Sequence, residues 1–156
     1  MSDIESAEIS VELYNGELDE ILTLENASFS DPWTKGMFED ALENSSVRFY
    51  IARHTEEICG YLAVLFCEPE AEILSIAVAR DKRRLGVASA LLDRFYSDEM
   101  IKGVDAVFLE VRESNLPARG LYHKYGYEEI GIRKNYYRFP RENAIIMMHV
   151  LMDKGH

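Results

Sequence analysis

The sequence predicts a single mixed α/β domain, α+β in character, with helices on both faces of one central sheet. Three observations carry this. Strand-period and helix-period segments alternate through the second half, three consecutive strand-like runs form a meander in the first half, and 47% of the 156 residues are hydrophobic. Residues 8–13 read as a short strand, and 17–27 as a helix with Leu18, Ile21 and Leu22 on one face. After the turn Ser30-Asp31-Pro32-Trp33, Thr34 is a candidate N-cap for a second helix, whose Met37, Phe38, Ala41 and Leu42 fall at helical spacing. Strands follow at 48–53, 58–66 and 72–79, then a long helix from about 84 to 101, closed by Gly103. A strand at 105–112, a short helix at 116–125 closed by Gly126, and strands near 127–137 and 143–151 complete the order β-α-α-β-β-β-α-β-α-β-β.

With no internal repeat and no linker, residues 1–156 are expected to form one domain. The composition excludes disorder, collagen-like repeats and coiled coil. No apolar run is long enough to span a bilayer, and the acidic, polar stretch 1–10 lacks the pattern of a secretory signal. Two cysteines, Cys59 and Cys67, are too few for a disulfide framework or a four-cysteine zinc site. Both read as buried strand thiols in a protein of the reducing cytoplasm. A net charge of -11 repels nucleic-acid phosphates and anionic lipid, so neither partner is expected. A basic or neutral protein segment suits that surface better. His54, His123, His149 and His156 have no metal-ligand spacing, and no metal is expected. No serine or cysteine sits in a nucleophile-elbow pattern.

Three segments carry chemistry. In Ile76-Ala77-Val78-Ala79-Arg80-Asp81-Lys82-Arg83-Arg84-Leu85-Gly86-Val87-Ala88 an apolar strand enters a basic turn and then a helix that opens with small residues. Free N–H groups and the positive end of the helix dipole favour an anion there, and Lys82, Arg83 and Arg84 add charge. The competing reading is a solvated helix start. The segment is neither a Walker A loop nor GxGxxG. In Val107-Phe108-Leu109-Glu110-Val111-Arg112 a carboxylate interrupts an apolar strand, which is costly unless Glu110 is paired or acts as a general base. Glu72 poses the same question one strand earlier, and two inward carboxylates would suit a cationic amine. In the helix after Asn115, which can cap it, Tyr122 is either a core aromatic or a phenol able to act as a general acid.

Together these segments resemble the GCN5-related N-acetyltransferases, the GNAT superfamily. Arg83-Arg84-Leu85-Gly86-Val87-Ala88 matches their Q/R-x-x-G-x-G/A motif for acetyl-CoA, with Ala in the last position. Ser30-Asp31-Pro32-Trp33-Thr34, Ala71-Glu72-Ile73, Phe108-Leu109-Glu110-Val111-Arg112, Ser114-Asn115, Leu121-Tyr122 and Asn135-Tyr136-Tyr137 resemble the ribosomal-protein-alanine N-acetyltransferase subfamily, RimI. The resemblance implies a mostly antiparallel mixed sheet splayed between its fourth and fifth strands, with acetyl-CoA in the gap. It implies backbone contacts from Ile76, Ala77 and Val78 to the pantetheine arm, and amides from Arg83 to Ser89 (including Leu85 and Val87) around the pyrophosphate. It also implies a CoA contact at Asn115, a general base at Glu110 and a general acid at Tyr122, which also lies against the CoA. A ribosomal protein's N-terminus would enter between Pro32-Trp33 and Tyr136-Tyr137, with Glu72 facing the same cleft. The implied reaction is direct acetyl transfer to an N-terminal alanine. Alternatives keep the fold with other protein N-termini, lysines or small amines as acceptors, or make the chain a non-catalytic acetyl-CoA sensor. Two departures, Asn143 where the family often has Asp and Tyr125 where it often has Leu, are expected to bear on the peptide site.

Overall fold

The computed structural model describes residues 8–151, so most of the acidic first stretch and His156 lie outside the described residues. The elements are β1 (Ile9–Leu13), α1 (Leu18–Ser28), α2 (Lys35–Glu43), β2 (Val47–His54), β3 (Glu57–Cys67), β4 (Glu70–Val78), α3 (Val87–Tyr96), β5 (Ala106–Arg112), α4 (Leu116–Lys124), β6 (Glu128–Arg138) and β7 (Arg141–Val150). This is the expected order. The Thr34 hydroxyl caps α2 by accepting the Met37 N–H at 3.2 Å, and Asn115 caps α4 by accepting the Ala118 N–H at 3.2 Å.

The long helix expected over 84–101 is shorter at both ends. Arg84 and Gly86 take left-handed φ values of 74° and 81°, so helical geometry cannot begin before Val87. At the other end Asp98 starts a separate 3₁₀ turn, Glu99–Gly103, by accepting the Met100 N–H. The chain is drawn inward there because Asp98, only 5% exposed, also accepts the Tyr50 hydroxyl at 2.6 Å and pairs with Arg48 at 3.1 Å.

The seven strands form one sheet in the order β1-β2-β3-β4-β5-β7-β6. Every pairing is antiparallel except β4 with β5. That parallel pairing covers only Glu70 to Glu72 against Ala106 to Phe108. Past it β4 stays on β3 and β5 stays on β7, and the two part. A bulge at Leu74, between the pairs Ile73↔Val64 and Ser75↔Ala63, accompanies the departure of β4.

Strand alternation sorts the core onto two faces. Tyr50, Ala52, Leu62, Val64, Leu109 and Val111 pack under Leu91, Leu92 and Phe95 of α3 and Tyr122 of α4. Phe49, Ile51, Tyr61 and Ala63 pack under Ile21 and Leu24 of α1 and Phe38 of α2. Helices thus lie on both faces, as expected. The cysteines divide: Cys59 is buried and its thiol is pushed up to about 11 by that burial, whereas Cys67 is exposed. The expectation of two buried thiols fails at Cys67 because it is the last residue of β3, where the strand leaves the sheet for a turn.

Candidate active site

Where β4 and β5 separate, the β5-facing side of Ile73–Val78 has no strand partner, while its other side is held in register by β3. Ile76 and Val78 are half-buried and Ala77 is buried. The chain then runs through the 3₁₀ turn Arg80–Lys82 and the left-handed residues Arg84 and Gly86 into α3. No side chain caps α3, and its ladder begins with the Ala90 N–H on the Gly86 carbonyl. The amides from Val87 to Ser89 therefore precede the ladder and present a positive helix end. A Cβ at Gly86 would meet nothing within 4 Å, so the loop opens outward. Its φ is the reason for glycine there.

Glu110 sits on β5 two residues beyond its last pairing with β4, on the face shared with α1 and α2. Val107, Leu109 and Val111 turn to the opposite, buried face. Its side chain is 20% exposed, but the Oε2 atom is buried. Arg133 Nε of β6 approaches Oε2 to 2.6 Å, yet no hydrogen bond is directed at that oxygen, so the contact is charge against charge. A buried acceptor left in this state costs roughly 1–3 kcal/mol, which a suitably placed donor would recover. Glu72 is exposed at the fork; burial of its carboxyl and the neighbouring Glu110 charge raise its pKa, and Arg133 opposes them. The structure therefore brings the two carboxylates together, but neither side chain is fully inward.

Tyr136 and Tyr137 sit edge to face, with centroids 5.1 Å apart. Burial and the Glu110 charge raise both hydroxyls, Tyr137 to about 12. Arg112 holds the hairpin to β5: its guanidinium lies 4.3 Å from the Tyr137 ring centroid and donates to the carbonyls of Phe139 and Pro140. From the other side Ser30 Oγ bonds the Phe139 carbonyl, so the Pro32-Trp33 loop and the hairpin meet. Pro32 and Trp33 are half-buried, with the Trp33 ring 5.0 Å from that of Phe38. Tyr122 is 4% exposed, its ring 5.5 Å from Tyr127, and burial followed by the nearby Tyr137 and Tyr96 pushes its hydroxyl well above the ordinary phenol value.

Sequence reasoning missed Arg133, Arg112 and Glu25, each of which acts across distant segments. The two departures sit in different surroundings. Asn143 Oδ1 accepts the Asn135 N–H at 2.9 Å and Nδ2 donates to Glu113, which secures the bulged stretch of β6 before Tyr136. The Tyr125 hydroxyl donates to Asp93 at 2.7 Å and its ring stacks on Tyr96, binding α4 to α3.

A sheet forked between parallel strands, with an open helix start on one arm and a carboxylate on the other, is the architecture of an N-acetyltransferase domain. Residues 18–127 match the acetyltransferase (GNAT) family, and the chain belongs to it. It is 36% identical over 134 residues to a Bacillus subtilis protein provisionally named ribosomal protein bS18-alanine N-acetyltransferase, covering 84% of this chain and 87% of that one. It is 34% identical over 133 residues to the ribosomal protein bS18-alanine N-acetyltransferase of Haemophilus ducreyi, covering 81% and 89%. The crystal structure of the Escherichia coli ribosomal-protein-S18-alanine N-acetyltransferase superposes with a TM-score of 0.84 at 27% identity, covering 95% of this chain and 98% of that one. Among the described residues no three His, Cys, Asp or Glu side chains gather to hold a metal ion, and no helix is long and apolar enough to cross a membrane.

Proposed function

We propose that the chain transfers acetyl from acetyl-CoA to the α-amine of an N-terminal alanine on a small-subunit ribosomal protein, in a direct ternary complex. The observation that carries this is the position of Glu110 at the fork, beside an unpaired strand edge. The activities for which the Bacillus, Haemophilus and Escherichia relatives are named support the acceptor. The residues fit the co-substrate: Ile76, Ala77 and Val78 offer sheet-like bonds to an extended arm, Arg83 to Ser89 offer amides and charge to a pyrophosphate, and Asn115 takes the CoA contact that the family resemblance implies. Bound there, acetyl-CoA supplies an activated thioester carbonyl.

Pro32, Trp33, Glu72, Tyr136 and Tyr137 form the acceptor side. An arriving amine replaces Arg133 as the cation facing Glu110; the Arg133 side chain, 59% exposed, is free to turn outward. α-Amino groups titrate near roughly 7.7–8.0, so a base is needed at neutral pH. Glu110, directly or through a water, takes the proton. The amine nitrogen bonds to the thioester carbon, the carbon–sulfur bond breaks, Tyr122 donates its hydroxyl proton to the departing sulfur, and the second nitrogen proton, lost as the amide forms, returns to the Tyr122 oxygen. Its raised pKa means that the phenol is protonated at neutral pH.

The test follows CoA thiol release with two peptides. One has a free N-terminal alanine; the other is N-terminally blocked with an internal lysine. Release with the first alone is expected. Release with the second alone overturns the acceptor, and silence with both, alongside acetyl-CoA binding, favours the sensor.

A further inference from the structure

The steps above make no use of Glu25, although α1 buries it to 1% exposure. One of its oxygens accepts the Trp33 N–H at 2.9 Å, and the other accepts the Tyr61 hydroxyl at 2.5 Å. That hydroxyl lies 2.7 Å from Ser75 Oγ. Three parts of the chain therefore converge on one carboxylate: the loop between α1 and α2, the middle of β3, and β4 just past its bulge. Ring contacts run parallel to the polar ones, Trp33 on Phe38 at 5.0 Å and Phe38 edge-on to Tyr61 at 5.8 Å.

A carboxylate is an expensive way to fill this space. Burial raises the Glu25 pKa above the ordinary carboxylate value, with the Tyr61 and Trp33 bonds opposing it. An apolar residue of similar volume would serve packing at least as well. What it could not do is fix the direction of a backbone N–H and a phenol at once.

We propose that Glu25 is a positioning residue, which holds the Trp33 loop in register with the β4 edge at Ser75–Val78. It thereby sets how an acceptor amine meets the thioester. Only the identity of the acceptor rests on the function proposed above.

Trp33 is the single tryptophan of the chain, so its fluorescence reports the loop without any assay of turnover. In Glu25→Leu, Trp33 emission is expected to move to the red and become more open to acrylamide. The KM for the alanine peptide should rise about tenfold, a misplacement effect, with acetyl-CoA affinity within about twofold. Glu25→Gln, which keeps one oxygen for the Trp33 N–H, should recover most of both. Should Glu25→Leu fail to fold, Ser75→Ala and Tyr61→Phe leave the Glu25–Trp33 bond intact and cut the link to β4; a rise in peptide KM of about threefold is expected from each. Unchanged Trp33 emission and unchanged peptide KM, with only a lower melting temperature, would overturn the proposal. A shifted Trp33 in a chain that acetylates no peptide leaves it standing while removing the acceptor.

Discussion

On the face covered by α3 and α4, side chains from β2, β3 and β5 meet Leu91, Leu92 and Phe95 in a core that is apolar almost throughout. On the face covered by α1 and α2, a smaller apolar cluster shares the space with Glu25, Ser75, Glu72 and Glu110. The same strands serve both faces, since Tyr50 and Ile51, or Leu62 and Ala63, differ only in which way they point. The difference teaches where stability and chemistry reside. One face can be packed for burial alone. The other must leave room for a ligand, so polar bonds do part of the work that packing does elsewhere.

The comparison breaks if substitutions on the two faces fail to separate. The largest effect is expected at Glu110→Gln, with turnover falling by about 10²- to 10⁴-fold and acetyl-CoA affinity within a few-fold. Stopped assays of thiol release, paired with titration calorimetry, would check it. Activity that survives would move the base to Glu72 or to a water chain. Leu92→Ala, on the opposite face and fully buried, should lower stability by about 2–5 kcal/mol in urea unfolding, leaving the KM values of the folded protein unchanged.

Asp98 sharpens the contrast, because it is the charged exception on the apolar face. Burial works to raise its pKa, but the Met100 N–H, the Tyr50 hydroxyl and the charges of Arg48 and Arg94 outweigh it and hold it below 3.8. Its stabilisation is complete above pH 3.8 and is lost as pH falls through the lower folded value. Asp98→Asn should therefore cost about 1–3 kcal/mol at neutral pH, the gap to the native chain closing in acid. The smallest effect belongs to Asn143→Asp, which removes a donor and sets two carboxylates side by side near Glu113. With the exposed Glu113 as its neighbour, it should cost less than about 1 kcal/mol. A rise in peptide KM without a change for acetyl-CoA would place that bulge on the acceptor side.

Periodicity made the order of elements legible, since each strand buries alternate residues and each helix one stripe. The end of α3 was not legible. Nothing in Tyr96-Ser97-Asp98 forbids a helix, and only the long-range bonds to Tyr50 and Arg48 turn the chain inward. Glu110 stood out because an apolar strand surrounds it. Glu25 could not, because a glutamate on an amphipathic helix looks the same in sequence whether it meets water or a buried tyrosine. Arg133 was hidden for a related reason: its neighbour is 23 positions away on another strand, and the pair exists only once β7 has brought β5 and β6 into one sheet. Cys67 was misread because alternation says which way a side chain points, but not where cover ends.

The short contact between β4 and β5 gives this sheet something few sheets have, an edge in its interior. Exposed edges at the rim of a sheet invite foreign strands and aggregation. Here the edge lies inside the sheet, between the β4 that β3 holds and the β5 that parts from it, and an extended guest laid along it would meet open backbone groups. The β4 backbone is already held straight by β3, so such a guest would gain ladder bonds without ordering the chain that offers them.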